Sequence, residues 1–285
     1  PGLLSVVVWA GSPGRPGLLD ETLFSLACQE QHPLELVLAL GPEARPSAEA
    51  TRELLERYRR LGGFQLQLVE GDAPGLLDEA LRRTRGQYVA FLEAGGVVYP
   101  AHYVRLVAAL QRGEEAWAVA RAFRATCRPG RPGEVPFIES KCPFPLGEHL
   151  ETTHLLQEPE LLQALVIDRF RVEPLPLAPV SPEEGLAPLP LRLAALFEPI
   201  FLAEGIATCE VRSFPVEGPP AAREPPSLQV LGSLSSLEAR LSRAKAEGAS
   251  TRALRYRLVD GLDARVRKRL PWLYSALRSA ARRLR

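Results

Sequence analysis

The sequence has 285 residues, 46% hydrophobic and 24% charged, which suits one large globular domain or a domain with an extension. No apolar run reaches the roughly 18 residues of a membrane span, and Leu3–Ala10 lacks a basic leader, so we expect neither a transmembrane helix nor a signal peptide. Four scattered cysteines without a Cys-x-x-Cys spacing indicate free thiols in a reducing compartment rather than disulfides or a zinc site.

Residues 1–111 alternate strand-like and helix-like patterns. Strands are predicted at Leu3–Ala10, Leu34–Leu40, Phe64–Val69 and Tyr88–Leu92, and helices at Leu18–Gln29, Ala48–Arg60, Leu76–Arg83 and Pro100–Gln111. Strands that alternate with helices at this spacing predict an α/β fold with a doubly wound, mostly parallel sheet covered on both faces.

The stretch Arg85–Gly96, RGQYVAFLEAGG, organises this pattern. Gly86 follows an amphipathic run and can end a helix in the left-handed conformation. A buried strand then places Glu93 at its carboxyl end, ahead of Gly95 and Gly96, which favour a loop. Open α/β sheets bind their ligands at the carboxyl ends of strands, so Glu93 is a candidate ligand-contacting residue.

This stretch resembles the ARGEYVAFLDADD segment of family 2 glycosyltransferases, which have the GT-A fold, a Rossmann-like three-layer sandwich. The segment SVVVWAGSPGRPGLLDETLFSLACQEQHPLELVLAL is similar to the first strand, helix and second strand of that family, and YPAH is similar to its YPDH. The resemblance implies a GT-A domain. In the family, an Asp-x-Asp motif holds a divalent metal and the diphosphate of a nucleotide-sugar; here Glu93 and Gly95 replace the two aspartates.

The resemblance also implies a set of donor-binding residues. Trp9 near the end of the first strand and Ser12 just after it stand where the family has an aromatic residue near the base. Arg82 and Arg85, together with Arg83, stand where the family has a phosphate-binding arginine. Leu40 replaces a base-reading aspartate and cannot accept a hydrogen bond. Three of the family's four donor-binding devices are therefore altered together.

Glu93 is the candidate metal ligand, for Mg²⁺ or Mn²⁺, because such ions are held by one or two carboxylates together with substrate phosphates. The alternative is a solvated carboxylate at a strand end. His149 and His154 flank a loop and could supply a further ligand, whereas His102 follows a helix-starting proline and is either a cleft or a surface residue. Cys28 lies on an apolar helix face and is predicted to be buried.

The middle of the chain has weaker patterns. Trp117–Thr126 is predicted to be a strand with or without a bend, and Phe137–Leu150 to be a loop; a helical pattern follows at Pro159–Ala164. The family carries an acidic pair before a short helix, and Glu183 and Glu184 before LPLRLAAL match it best. The resemblance implies that this pair supplies the general base that deprotonates an acceptor hydroxyl for inverting transfer. The alternative is loop charge.

The last part of the chain is expected to lie outside the GT-A domain, which we place at residues 1–212. A Pro-rich linker is predicted at residues 213–227 and a helical extension at residues 228–285. Residues 252–285 contain eleven Arg and Lys against two Asp, a net charge of +9, which leaves −8 for the rest of a chain whose total is +1. Such a basic amphipathic segment favours either an anionic membrane surface or docking on the acidic body, and not nucleic acid.

Two functions remain open at this point. The first is a transferase that moves a sugar from a UDP-, GDP- or TDP-linked donor to a glycan or lipid acceptor, in the cytoplasm or peripherally at the inner face of the membrane. The second is a catalytically inactive GT-A domain, kept as a scaffold or glycan-binding module in a polysaccharide-assembly system.

Overall fold

The computed structural model describes residues 2–10, 16–42, 48–71, 73–128, 137–146, 148, 150, 154–155, 158–172, 177 and 189–213. Within these ranges it contains eleven strands. They are β1 (Leu4–Ala10), β2 (Leu34–Leu40), β3 (Gln65–Glu70), β4 (Tyr88–Glu93), β5 (Val97–Val98), β6 (Trp117–Ala120), β7 (Ala122–Arg128), β8 (Phe137–Pro143), β9 (Leu165–Asp168), β10 (Pro199–Leu202) and β11 (Cys209–Ser213).

The helices of the described chain connect and flank these strands. They are α1 (Pro16–Ala27), α2 (Ala48–Leu61), α3 (Ala73–Arg83), α4 (His102–Arg112), the one-turn α5 (Arg169–Val172) and α6 (Leu189–Leu196). A 3-10 helix at Pro159–Ala164 leads directly into β9.

The central sheet has seven strands in the order β10-β6-β9-β4-β1-β2-β3. All neighbouring pairs are parallel except those of β9, which is antiparallel to both β4 and β6. The predicted mostly parallel α/β sheet is therefore confirmed. The chain leaves β1 for β2 on one side and later returns to place β4 on the other side of β1, so the strand order reverses between β1 and β4.

Both faces of the central sheet are covered. All seven residues of β2 are buried, and so are six of the seven in β1, although successive side chains point to opposite faces. The core is correspondingly rich in Leu and Val, as strands buried on both faces require. Fold stability in this half therefore comes mainly from apolar burial between the sheet and its flanking helices.

A smaller sheet, in the order β5-β11-β7-β8, lies beside the carboxyl end of β4. Trp117–Thr126 forms two strands, β6 and β7, so the strand with a bend is confirmed. The loop predicted from Phe137 is wrong over Phe137–Pro143, where β8 pairs with β7. The residues of β8 are almost all exposed. Because neither face of this strand is buried, its sequence lacks the alternation of apolar and polar residues that would have predicted a strand.

Gly86 has a different reason for being glycine from the one predicted. It has no positive φ, so it does not end α3 in the left-handed conformation. A Cβ there would lie 2.5 Å from the Ser5 hydroxyl oxygen and 2.7 Å from the carbonyl oxygen of Leu3. The position therefore excludes a side chain because β1 passes too close to the backbone at Gly86.

Candidate functional site

The candidate site lies at the carboxyl edge of the central sheet, where the strand order reverses. Trp9 near the end of β1 and Glu93 at the end of β4 are register partners in parallel strands. Both side chains are half-buried, so each keeps part of its surface open to a ligand. In open α/β sheets this reversal point is the usual ligand-binding position. The structure thus brings these two predicted residues together.

Glu93 is held by the 3-10 helix on the side away from β1. Its amide donates a hydrogen bond to the Gln163 side-chain oxygen at 3.1 Å. Burial raises the pKa of the Glu93 carboxyl above its ordinary value, and the negative charge of Glu160 raises it further. Glu93 and Glu160 therefore repel each other across the site, and a bound cation would relieve that repulsion.

Arg124 brings the small sheet into the same region. Its guanidinium is hydrogen-bonded to Glu158, and Nη2 lies 3.9 Å from a Glu160 carboxylate oxygen. The Cζ atom of Arg124 lies 4.6 Å from the centre of the Phe144 ring. The group formed by Glu93, Glu158, Glu160 and Arg124 has three acidic side chains and one basic side chain, so this region favours a cation over a bare anion.

The turn after Glu93 does not offer a second carboxylate. Gly95 has a φ of +109°, a backbone conformation that side-chain-bearing residues rarely adopt. A Cβ on Gly96 would lie 2.5 Å from the Gln163 side-chain oxygen. Gly95, which stands where the resembled family has its second aspartate, thus lies in a turn in which an aspartate would be strained.

The structure does not bring Arg82 and Arg85 to this site. Both precede β4, whereas Glu93 ends it, so they lie at the opposite, amino edge of the parallel strands. Arg82 pairs with Asp78 and Glu79 on the surface of α3. The Nε of Arg85 lies 3.0 Å from the buried carboxylate of Glu35 at the start of β2. In this placement the two arginines form ion pairs within the domain and do not contact the candidate site.

The other residues singled out from the sequence are Ser12, Cys28, His102, His149, His154, Glu183 and Glu184. Ser12, His149, Glu183 and Glu184 lie outside the described residues. The prediction for Cys28 is wrong, because that thiol is exposed at the end of α1. His102 is fully buried and its Nδ1 lies 2.8 Å from the Thr208 hydroxyl, so it is neither a cleft nor a surface residue.

Burial lowers the pKa of His102 to about 3, with a smaller effect from Arg105, so its ring is neutral near pH 7. His154 is half-buried, and its carbonyl oxygen accepts the Glu158 amide, which places it just ahead of the charged cluster. Its suggested part in metal binding stays a prediction.

Sequence reasoning missed Arg124, Glu158, Glu160 and Gln163. The sequence carried no signal for them, since a weak helical pattern and a strand of mixed character gave no reason to place them beside Glu93. Only the pairing of β9 with β4 brings the 3-10 helix to the end of that strand.

Within the described part of the chain, no group of three or more His, Cys, Asp or Glu side chains is arranged to hold a metal ion. None of the helices described has both the length and the apolar character needed to cross a membrane.

The fold is that of GT-A glycosyltransferases, as the comparison with solved structures shows. Residues 1–349 of S. aureus TarS, in complex with UDP-GlcNAc, match with a TM-score of 0.50 and 12% identity, over 96% of this chain and 83% of that one. The mannosyltransferase PcManGT from Pyrobaculum calidifontis, in complex with GDP-Man and Mn²⁺, matches with a TM-score of 0.47 and 15% identity, over 98% and 74%. Neither a protein-family profile nor a curated protein sequence matches the chain.

Proposed function

We propose that this protein is a nucleotide-sugar-dependent glycosyltransferase of the family 2 type. The observation that carries the proposal is the pairing of Trp9 with Glu93 at the point where the strand order of a GT-A sheet reverses. An aromatic ring beside a carboxylate provides a surface for a nucleotide base and a contact for the diphosphate side of the same ligand. Ser12, just beyond β1, is the remaining donor-contact candidate.

The donor has to bind against an unfavourable local charge. A nucleotide diphosphate is anionic, and Glu93, Glu158 and Glu160 outnumber Arg124. The residues present fit a weakly held, hydrated Mg²⁺ or Mn²⁺ ion, with Glu93 as one ligand and Glu160 in place of the carboxylate absent at Gly95. When bound, such an ion neutralises charge on the diphosphate leaving group.

The general base for the acceptor hydroxyl is proposed to be one residue of the acidic pair Glu183 and Glu184. Glu183 or Glu184 would accept the proton of an acceptor hydroxyl as its oxygen attacks the anomeric carbon from the face opposite the leaving diphosphate, which inverts the configuration. A glycan or a lipid is the acceptor class we propose, within polysaccharide assembly.

The basic segment 252–285 would bring residues 1–212 to an anionic membrane surface on the cytoplasmic side. Each Lys or Arg close to such a surface adds about 1 kcal/mol. Co-sedimentation with vesicles containing phosphatidylserine tests this, comparing the full chain with a chain that ends at Ser227. Salt-sensitive binding of the full chain alone is expected; equal binding of both chains would contradict this role for the segment.

Ligand-induced stabilisation tests the transferase proposal directly. UDP, GDP and TDP are added to the full chain with and without Mn²⁺, and the midpoint of thermal unfolding is measured; a ligand at 100 times its Kd stabilises the native state by about 2.7 kcal/mol. We expect one nucleotide to raise the midpoint in the presence of Mn²⁺, and Glu93→Gln to remove that rise.

Glu70→Gln is the matched control, because Glu70 ends β3 at the same sheet edge but pairs with Arg52 at 2.9 Å. It should respond to nucleotide as the unaltered chain does. If no nucleotide stabilises the full chain, the proposal fails and the inactive scaffold becomes the better description.

A further inference from the structure

Helix α1 has a buried polar stripe that faces the turn after Glu93. Thr22 and Ser25 lie on the helix at a spacing of three residues, and Gln29 follows four residues later, just beyond its end, so the three share one side. All three are buried. Buried polar side chains are uncommon unless they have partners, so this stripe requires an explanation.

The partners of the stripe are backbone groups of residues 95–99. The Thr22 hydroxyl oxygen accepts the Gly95 amide at 2.8 Å and donates to the Gly96 carbonyl oxygen at 2.9 Å, with the Leu18 carbonyl at 3.1 Å as its alternative acceptor. Ser25 accepts the Val98 amide at 3.3 Å. Gln29 donates to the carbonyl oxygens of Val98 and Tyr99, at 3.1 and 2.9 Å.

The turn is held from its other side as well. The Ala94 amide donates to the Trp9 carbonyl oxygen at 2.9 Å, and the Glu93 amide donates to Gln163 at 3.1 Å. The turn and the residues just before it are therefore hydrogen-bonded to β1, α1 and the 3-10 helix at once. Thr22 has the central place among these contacts, because it is the side chain that binds both glycines.

We infer that Thr22 is a positioning residue of the candidate site, which holds the Gly95–Gly96 turn and thereby fixes the direction of the Glu93 carboxylate. Glycine has more backbone freedom than any other residue, so two consecutive glycines would otherwise let the turn relax. Without the hydroxyl, the Gly95 amide would also lose its partner in a buried place. The consequence for sugar transfer rests on the proposed function, but the positioning itself does not.

The test compares Thr22→Val, which removes the hydroxyl at nearly constant shape, with Thr22→Ser, which keeps it. Thr84→Val is the matched control: Thr84 is also buried, and its hydroxyl donates to the Leu81 carbonyl oxygen at 2.6 Å, but it lies at the amino edge of the sheet. All variants are made in the full chain. Two readouts need no nucleotide: hydrogen exchange of the Gly95 amide, and the side-chain rotamer populations of Glu93 from NMR coupling constants.

We expect Thr22→Val to speed exchange at Gly95 about tenfold, as loss of one hydrogen bond implies. The Glu93 coupling constants should move toward rotamer-averaged values, because the turn that follows Glu93 relaxes. Thr22→Ser and Thr84→Val should leave both readouts unchanged. The inference is overturned if Thr22→Val leaves the Glu93 rotamer populations unchanged. It is also overturned if the Gly95 amide of the unaltered chain already exchanges without protection, a measurement that stands even if Thr22→Val does not fold.

Nucleotide binding separates this inference from the proposed function. Weaker binding by Thr22→Val than by Thr84→Val supports both. No binding by the unaltered chain, together with changed Glu93 rotamer populations in Thr22→Val, refutes the proposed function and leaves the positioning role intact.

Discussion

Glu35 provides the sharpest test of how the central sheet is held together. It lies at the start of β2 with no exposed surface. Its carboxylate accepts hydrogen bonds from the Ser5 hydroxyl at 2.5 Å, the Arg85 amide at 2.5 Å and the Arg85 Nε at 3.0 Å. One buried carboxylate thus joins β1, β2 and the residues that lead into β4.

Replacing this carboxylate by an amide, Glu35→Gln, should destabilise the fold substantially. Hydrogen bonds to a charged group contribute about 1.5–3 kcal/mol, and the new amide group would place a donor toward the donors of Arg85. The Arg85 side chain is 58% exposed, so solvent screening reduces the ionic part of the loss. We therefore expect a decrease of about 2–3 kcal/mol in the free energy of unfolding at pH 7.

The pH dependence has a definite sign. Burial alone would raise the pKa of Glu35, but the hydrogen bonds from the Arg85 amide, Ser5 and the Arg85 side chain outweigh it, so the pKa is lowered from 4.5. Its stabilisation is therefore fully present above the unfolded-state value and is lost as pH falls through the lower folded-state pKa. The difference between Glu35→Gln and the unaltered chain should shrink below about pH 4.5.

Urea denaturation followed by tryptophan fluorescence measures this difference, since Trp117 is fully buried in the same sheet. Glu70→Gln breaks an exposed ion pair instead and should cost at most about 1 kcal/mol. A Glu35→Gln protein as stable as this control at pH 7, or one whose deficit is unchanged at low pH, would refute the account of Glu35.

Three further predictions follow from single positions. Gly95→Asp should cost about 1–3 kcal/mol because of its φ of +109°, and should not increase Mn²⁺ affinity measured by electron paramagnetic resonance. Glu93→Gln should raise the midpoint of thermal unfolding at pH 7 but not below pH 4.5. The pKa of Glu93 is raised in the folded state, so the ionised carboxylate destabilises the fold once the pH exceeds that pKa, and the amide removes this penalty. A midpoint raised equally at both pH values would contradict this. Gly86→Ala should lower the free energy of unfolding in urea by about 1–3 kcal/mol, whereas Gly17→Ala, which meets nothing within 4 Å, should not.

The first half of the fold could be predicted because its signals are local. β2 was predicted with the bounds that the structure gives, and β1, β3 and β4 to within one residue at each end. β1, β2 and β4 are apolar runs, β3 alternates polar and apolar residues, and amphipathic helices separate them. The alternation of strands and helices predicts that these four strands are parallel, but not that β4 pairs with β1.

The small sheet could not be predicted in the same way. β11 pairs with β5 and β7, which lie far from it in the sequence, and no local pattern specifies such partners. β8 is an exposed edge strand with Lys141 and Pro143, residue types that protect sheet edges from further pairing and also resemble loop composition.

The candidate site was predictable only where it belongs to single strands. Glu93 and Trp9 follow from the ends of β4 and β1, but Glu160 and Arg124 come from elements that meet them only through long-range pairing. The assignment of Arg82 and Arg85 to the donor could have been tested by topology alone. Residues that precede a parallel strand lie at its amino edge, about 16 Å of strand away from residues that end it.

The backbone of the turn after Glu93 limits which side chains can stand there. Gly95 has a positive φ, Gly96 has no room for a Cβ beside Gln163, and Thr22 binds both residues through their backbone groups. An aspartate introduced at position 95 would therefore meet a turn already shaped by α1 and the 3-10 helix. If the protein uses a second carboxylate, it has to come from outside this turn, and Glu160 is the acidic residue whose charge already acts on Glu93.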